Sequence, residues 1–337
     1  MRLHPAEIRK SRLEKALSIF APVHDGEGLT ALLLATNVFL LLTAYYIIKP
    51  VREALILGGS GAEIKSYAGA GQALLLLFLV PLYSRFASRV DRIRLINGVT
   101  AFFISNLIVF FVLGRLNVPL GVVFFLWVGL FNLMLVAQFW AFANDVYTQE
   151  QGRRLFAIVG IGSSLGAIFG AQVAGWLFEP VGPYSMMLVT AAILGVCMAI
   201  TNWIHHRQGR VSRQTQDQPL SAAGGFQLVF KYRYLFLIAI LVLMSNFVNT
   251  TGEFILGKTV AQQAKAVVAQ TPGMTEEAYI GKFYANFFFW VNVLGAALQM
   301  FAVSRIMKYL GIGWALFILP LIALGSYTLL AFSPILS

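Results

Sequence analysis

Residues Leu29–Ile48 read LTALLLATNVFLLLTAYYII, a predominantly apolar run that is followed at once by Lys49, Arg52 and Glu53. A helix needs about 20 residues to cross the hydrocarbon core of a bilayer, and this run is long enough. Ionisable groups close to membrane depth are costly and tend to mark the paths of substrates or ions. The stretch therefore predicts a membrane span that ends at a functional cluster.

The composition of the whole chain is that of a polytopic membrane protein. Of its 337 residues 58% are hydrophobic and 12% are charged, whereas soluble domains contain about 25% charged residues. Apolar runs recur along the chain, and their lengths predict about nine membrane-spanning helices. The runs are Leu29–Ile48, Tyr67–Tyr83, Ile96–Leu113, Leu120–Ala143, Phe156–Phe178, Met186–Ile204, Tyr234–Leu256, Phe283–Val303 and Ile312–Phe332.

Lys and Arg concentrate in alternate loops, beginning with the N-terminal segment. The positive-inside rule then places the N-terminus in the cytoplasm and predicts a multi-pass protein of the inner (plasma) membrane. The first 28 residues lack the apolar core of a cleavable signal peptide, so we expect the first span to remain as a signal anchor. The net charge of +11 has the same explanation. The basic tract 207–213 lacks the interleaved aromatic residues typical of nucleic-acid binding, so we expect no nucleic-acid partner.

Two pairs of short, similar segments in the sequence indicate an internal repeat. Ser84-Arg85 after the second run matches Ser304-Arg305 after the eighth, and REALILG at Arg52–Gly58 resembles GEFILG at Gly252–Gly257. Six spans separate the copies, so both copies face the same side of the membrane. This is the arrangement of the parallel repeats in major-facilitator-type transporters.

The repeat predicts an all-α, major-facilitator-like bundle in two halves. We expect a basic cytoplasmic segment over 1–28, a six-span bundle over 29–204, a cytoplasmic linker over 205–233 and an incomplete bundle over 234–337. The second half then contains about three of six spans, which indicates a chain that lacks its last three.

The charged residues after the first run are the first candidates for substrate binding. Lys49 and Glu53 are four residues apart and share one face of a continued helix, whereas Pro50 requires the chain to bend or to restart there. One interpretation is a phosphate or carboxylate site at the mouth of a central cavity. The alternative is that Lys49 and Arg52 extend to the lipid headgroups.

Glu253 is the clearest carboxylate at membrane depth. It follows Asn246 and Asn249 and precedes Lys258 on an apolar run. A polar strip on such a helix must face the bundle interior or a water-filled cavity. Glu253 is therefore expected to bind substrate, to carry a proton or to pair with a cation of the first span, with a purely structural helix–helix pair as the alternative.

Two further sets of residues suggest conformational roles. A small-residue face at Gly162, Gly166 and Gly170 predicts close helix packing. Cytoplasmic charges suggest a gating network, with solvated loop charges as the alternative; they are Arg85, Arg89, Asp91, Asp145 and Arg153. The sequence contains no Cys/His cluster, nucleophile–base constellation or complete Walker motif, so we expect neither an enzyme nor a bound metal or cofactor.

Four segments of the chain resemble the ATP/ADP translocase (nucleotide transporter) family, in its bacterial branch, which is related to the major facilitator superfamily. They are YYIIKPVREALIL, GGSGAEIKSY, the stretch FWAFANDVYTQEQGRRLFAIVGIGSSLGAIFG, and the region from NTTGEF through GKFYANFFFW to KYLGIGWAL. The resemblance implies a fold of twelve spans and strict exchange of ATP for ADP or related nucleotides. It implies that Lys49 is important for transport and that Glu253 is the carboxylate of the seventh span, with Lys258 near a family cation.

One position departs from the family pattern. Relatives that exchange ATP carry an acidic residue in the fourth span, but here that region reads WVGLFNLMLVAQFWAFAN, with Asn132 as the nearest polar group. We therefore expect a nucleotide antiporter that works by alternating access across the bilayer. The alternatives are an ion- or proton-coupled carrier of another organic anion, or a truncated fragment that does not transport. The partners expected are an anionic small molecule and lipid, and no pattern fixes the oligomeric state.

Overall fold

The computed structural model describes residues 11–87, 90–207, 229–271 and 273–332. Within them the chain forms eleven helices of at least six residues and no β-strand. The helices are α1 Arg12–Leu17, α2 Gly28–Gly59, α3 Gly61–Ala87, α4 Arg92–Arg115, α5 Gly121–Val146, α6 Gln149–Val181, α7 Pro183–Arg207, α8 Arg233–Gln270, α9 Glu276–Phe301, α10 Val303–Tyr309 and α11 Gly311–Phe332. Most of the expected linker, 208–228, lies outside the described residues.

The helices account for the predicted spans. Seven of them are long and apolar enough to cross a membrane, and there is an eighth span if α9 and α10, which meet at 43°, are taken together. The last helix, α11, contains a shorter apolar stretch over Gly313–Leu329. Each predicted run falls on one of these helices, except that the eighth crosses from α9 into α10. The expected all-α polytopic architecture is thus confirmed.

Helix α2 is the central element of the bundle. It packs against α5, α6, α7 and α9, and 56% of its apolar window is buried. In contrast, 6% of the window of α3 and none of that of α8 is buried. The apolar side chains of α3 and α8 therefore face outward, where lipid surrounds a membrane protein. Charged groups on α2 lie in the protein interior instead.

A tight turn joins α2 to α3. One residue, Ser60, separates Gly59 from Gly61, and Gly61 adopts a φ of +84°, which a residue without a side chain reaches at no steric cost. The chain reverses direction there, so the first turns of α3 lie beside the last turns of α2. This reversal brings side chains from both helices to one place.

Helix α9 joins the second part of the chain to the first. It packs against α6 and α2. Gly281 of α9 lies directly against the ring of Phe178 of α6, with no room for a Cβ atom. Lys282 of α9 also forms an ion pair of 2.6 Å with Glu179 of α6. Side chains of α9 therefore reach the same interior that α2 occupies.

Candidate functional site

The charged cluster lies on an uninterrupted helix. Of the two alternatives that the sequence leaves at Pro50, a bend or a restart of the helix, the restart is wrong, because α2 runs through Pro50 and ends at Gly59. The reason is that apolar residues continue beyond the charges, and Val51 and the stretch 54–57 are buried. With 32 residues, the helix is about 48 Å long at 1.5 Å per residue. The cluster lies in the last third of α2.

Glu53 is the most deeply buried charged group of the cluster, with 1% of its side chain exposed. Its Oε1 atom accepts hydrogen bonds from Arg52, and its Oε2 atom lies 2.7 Å from Nζ of Lys65 on α3. The side chains of Arg52 and Lys65 are 14% and 10% exposed. Removing a carboxylate from water is costly unless cations compensate for it. Here cations from two helices do so.

Lys49 lies one turn before Glu53 in an aromatic cage. Its Nζ atom is 3.9 Å from the ring centre of Phe288 on α9, 5.2 Å from that of Tyr46 and 5.8 Å from that of Tyr45. It forms no ion pair with any residue that the structure describes. Aromatic faces attract a cation by roughly 0.5–2 kcal/mol, so the cage orients the ammonium group without neutralising it.

The cluster carries more positive than negative charge. Lys49, Arg52 and Lys65 contribute three positive charges and Glu53 one negative charge, an excess of two. Glu253 on α8 makes no ion pair with these cations but acts on Lys49 and Arg52 through space, and counting its charge leaves an excess of one. Buried charge is normally balanced by a partner. An excess of cations in the interior is chemically suited to a ligand with several negative charges.

Three other predicted binding residues lie apart from these contacts. Glu253 is exposed and accepts a hydrogen bond of 3.1 Å from Asn249. Lys258 pairs at 3.1 Å with Glu63 of α3, and both side chains are more than half exposed. Asn132 is half-buried on α5 and makes no hydrogen bond with the described residues. The structure thus brings together Lys49, Arg52 and Glu53, and it directs Lys258 to a separate, solvent-exposed pair.

Sequence reasoning missed three residues of the cluster. Lys65 lies in the segment GGSGAEIKSY but is not among the predicted binding residues. The reversal of the chain at Gly59–Gly61 is the signal that could have placed it opposite Glu53. Phe288 and Tyr284 belong to the aromatic stretch YANFFFW of α9. No local pattern shows which of these rings would face Lys49 or Lys65, because that depends on how α9 packs against α2.

The predicted gating residues form exposed pairs near the N-terminal end of α4. Arg92 donates from Nε to Asp145 of α5 at 2.8 Å, and both side chains are about half exposed. Asp91 lies 3.7 Å from its neighbour Arg94. Arg85 belongs to the last turn of α3, Arg89 lies outside the described residues, and Arg153 is exposed without an ion pair in the part of the chain that is described. Of the two ion pairs described here, the Arg92–Asp145 pair joins two helices, whereas the Asp91–Arg94 pair is local.

Arg154, the neighbour of Arg153, makes a stronger contact at the same end of the bundle. Its Nη1 and Nη2 atoms donate to the two carboxylate oxygens of Glu27 at 3.1 and 3.0 Å. Burial raises the pKa of the Glu27 carboxyl, but hydrogen bonds from Arg154, from the backbone of His24 and from Gln151 outweigh this effect and lower the pKa to about 2. We call this contact the Glu27–Arg154 clasp. It fixes the start of α2 against the start of α6.

The predicted glycine face of α6 lies directly on α2. A Cβ atom at Gly162 would be 2.5 Å from the carbonyl oxygen of Ala35, and one at Gly170 would be 2.6 Å from that of Thr43. Gly166 lies equally close to the carbonyl of Phe39. Only residues without a side chain permit two helix backbones to approach so closely. These contacts position α2, and with it the charged cluster.

The family model of the Major Facilitator Superfamily matches residues 29–337. The ADP,ATP carrier protein 1 of Chlamydia trachomatis serovar D is 21% identical over 201 residues, which are 53% of this chain and 36% of the relative. Proteins of the same name from Chlamydia muridarum and Chlamydia pneumoniae are each 22% identical, over 53% of this chain and over 36% and 38% of their own lengths. No solved structure matches the chain.

These relatives confirm the resemblance to nucleotide translocases that the sequence segments carry. The chain spans little more than a third of the length of the curated relatives it matches. The family model covers nearly all of the helical region, and the helices have the lengths and composition of membrane spans. The chain therefore belongs to the Major Facilitator Superfamily.

Proposed function

We propose that the chain is a secondary transporter that exchanges ATP for ADP, or related nucleotides, by alternating access. The names of the similar chlamydial carriers support nucleotide exchange. The charged cluster on α2 supports it independently, because the ligand that such a cluster attracts must be an anion. We also propose that the protein lies in a bacterial inner membrane with its N-terminus in the cytoplasm, as the distribution of Lys and Arg indicates.

The single observation that carries the proposal is the ammonium group of Lys49, which forms no ion pair within the described part of the chain and lies in a cluster with excess positive charge. Lys binds phosphate as a point charge. The flanking rings of Tyr45, Tyr46 and Phe288 provide aromatic faces within 6 Å of that charge, and Tyr46 contacts both of the other rings. In this proposal a base stacks on one of these faces. A site that combines a phosphate-binding cation with aromatic faces suits a nucleotide better than a small inorganic anion.

The location of the cluster supports alternating access. Lys49 and Glu53 belong to α2 of the proposed first half, 29–204, while Phe288 belongs to α9 of the proposed second half. A rocking motion of one half against the other therefore changes the distance between Lys49 and one wall of its cage. In this proposal the glycine face of α6 permits sliding on α2, and the Arg92–Asp145 pair stabilises one state at the cytoplasmic end.

Counterflow in proteoliposomes tests the proposal. Vesicles that contain the full chain and are loaded with unlabelled ADP should accumulate labelled ATP, and Lys49→Gln should abolish this uptake. Lys308→Gln is the matched control, because Lys308 is exposed on α10 and makes no ion pair within the described residues. Absence of stimulation by internal ADP would contradict exchange. Normal uptake by Lys49→Gln would contradict the assigned role of Lys49.

One observation favours a second candidate function, a proton-coupled carrier of another organic anion. Glu253 is exposed on α8, accepts one hydrogen bond from Asn249 and forms no ion pair with a described residue. A carboxylate at membrane depth that has no cation at ion-pair distance among the described residues is suited to carrying a proton. A pH gradient would then drive uptake of the anion without internal ADP, and Glu253→Gln would abolish this uptake. Indifference of uptake to the gradient would exclude this candidate.

A further inference from the structure

We infer that Lys65 and Tyr284 form a second anion subsite beside Lys49, and that the carboxylate of Glu53 occupies this subsite when no substrate is bound. This inference rests on the proposed function, since it concerns how the same site distinguishes nucleotides by their number of phosphate groups. It is carried by three side chains on three helices, α2, α3 and α9.

The position of Lys65 is that of a buried binding residue and not that of a surface charge. Its side chain is 10% exposed, and its Nζ atom lies 2.7 Å from Oε2 of Glu53. Replacing a buried ion pair by apolar residues of similar volume is often neutral or stabilising, so stability alone is a weak reason for this pair. A cation held in the interior next to an excess of positive charge is explained by a ligand that needs it.

Tyr284 supplies the second, independent observation. Its side chain is 3% exposed, and its hydroxyl group has no hydrogen-bond partner among the described residues. Its ring centre is 5.7 Å from Nζ of Lys65, and its hydroxyl lies 3.7 Å from where a Cβ atom of Gly257 would be. Buried hydroxyl groups in native structures are normally paired. A buried lysine over a ring whose hydroxyl has no partner among the described residues is an arrangement that phosphate oxygens would complete.

In this proposal the carboxylate of Glu53 occupies the anion subsite until a phosphate group binds there. One of its oxygens binds Arg52 and the other lies against Lys65. When a phosphate group enters, it takes the place of the carboxylate at Lys65 and accepts the hydrogen bond from Tyr284, while Glu53 keeps its contact with Arg52. Competition between carboxylate and phosphate gives Lys65 an anionic partner in both conditions, so its buried ammonium group is compensated in either state.

Two cationic subsites select ligands with more than one phosphate group. One group binds at Lys49, and the next binds at Lys65 and Tyr284. ADP and ATP use both subsites, whereas AMP uses only the first. Loss of the second subsite should therefore weaken the binding of ADP much more than that of AMP.

The test compares ADP and AMP binding to the purified full chain and to its Tyr284→Phe variant by calorimetry in detergent. We expect the Kd for ADP to rise about tenfold, the usual effect of losing a hydrogen bond to a charged group. The Kd for AMP should change by less than about twofold, and the unfolding temperature should stay the same or rise because the lost hydroxyl is unpaired. Tyr279→Phe on the same helix is the matched control, since the hydroxyl of Tyr279 contacts Gln263 instead.

Further variants separate the possible outcomes. Lys65→Gln should raise the Kd for ADP and reduce the preference for ADP over AMP. Unchanged ADP affinity in Tyr284→Phe, an equal loss for both nucleotides, or a lower unfolding temperature would overturn the second subsite. Lys49→Gln tests the proposed function separately: if it loses both ligands while Tyr284→Phe keeps both, only the second subsite fails. If Lys49→Gln binds both normally, the assigned role of Lys49 fails. If the wild-type chain binds neither nucleotide, the proposed function fails as well.

Discussion

Arg154 of α6 holds Glu27 at the start of α2 through both carboxylate oxygens, at distances of 3.1 and 3.0 Å. Nη1 of Arg154 also donates to the carbonyl oxygen of Pro22 at 2.6 Å. The guanidinium group therefore joins the segment before α2 to α6. Both side chains are less than one-fifth exposed, so water screens this pair less than it screens the Arg92–Asp145 pair.

The first prediction concerns the pH dependence of the Glu27–Arg154 clasp. Because the folded protein lowers the pKa of Glu27 from 4.5 to about 2, the clasp contributes its full stability above pH 4.5 and loses it as the pH falls towards 2. Glu27→Gln should lower stability at pH 7 by about 1.5–3 kcal/mol. The difference in unfolding temperature between the two proteins, followed by tryptophan fluorescence, should shrink over that window.

Glu150→Gln provides the control for this experiment. Glu150 lies in the first turn of α6, is exposed and forms no ion pair with the described residues. Its replacement should change the unfolding temperature little at any pH. A difference between wild type and Glu27→Gln that stays constant from pH 7 to pH 2 would show that Glu27 does not act through its charge.

The second prediction concerns the aromatic cage of Lys49. Phe288→Leu keeps an apolar side chain but removes the ring that lies 3.9 Å from the ammonium group. Loss of this contact should weaken ADP binding by about 0.5–2 kcal/mol, because the ring both orients the ammonium group and excludes water from it. The Kd for ADP in detergent measures the effect. Phe287→Leu is the control, since Phe287 is exposed and does not contact Lys49; an equal loss in both variants would refute a specific role for Phe288.

The third prediction concerns the close contact between α2 and α6. Gly166→Ala places a methyl group against the backbone carbonyl of Phe39, which cannot move without displacing α2. We expect a loss of about 1–3 kcal/mol in stability, as for other overpacked interiors. Gly160→Ala on the same helix meets no atom within 4 Å, so it should be neutral or stabilise the helix by up to about 1 kcal/mol. Equal unfolding temperatures for the two variants would contradict the packing described here.

The fourth prediction separates stability from transport at the end of the bundle where α4 begins. Both partners of the Arg92–Asp145 pair are about half exposed, so Asp145→Asn should change stability by less than about 1 kcal/mol. If the pair stabilises one state of the transport cycle, the exchange rate should nevertheless change. The charge reversal Arg92→Asp with Asp145→Arg should restore it. Exchange at the wild-type rate in Asp145→Asn would exclude a gating role.

The sequence predicts the helices well because each span must satisfy its backbone hydrogen bonds within itself and present apolar side chains. Residues such as Lys49 and Glu53 were recognisable for the same reason, since charges stand out against an apolar run. Lys65 and Tyr284 were not, because their importance depends on the approach of α3 and α9 to α2. The partner of Glu27 was missed for a similar reason: Arg153 and Arg154 are adjacent, and only helix rotation decides which of them faces α2.

Pro50 leaves the backbone carbonyl of Tyr46 without its usual helical donor, because proline has no N–H group. The α2 helix therefore lacks one backbone hydrogen bond between Tyr46 and Pro50, the residue after Lys49. The stretch before this point is fixed to α6 by three glycines, and the stretch after it carries Arg52 and Glu53. In the proposed transport cycle, an anion that binds beside Arg52 would act on the part of the helix that follows this missing hydrogen bond. A helix that lacks one hydrogen bond bends more readily than a uniformly hydrogen-bonded one, so Pro50 would couple binding of the proposed anion mechanically to the curvature of α2.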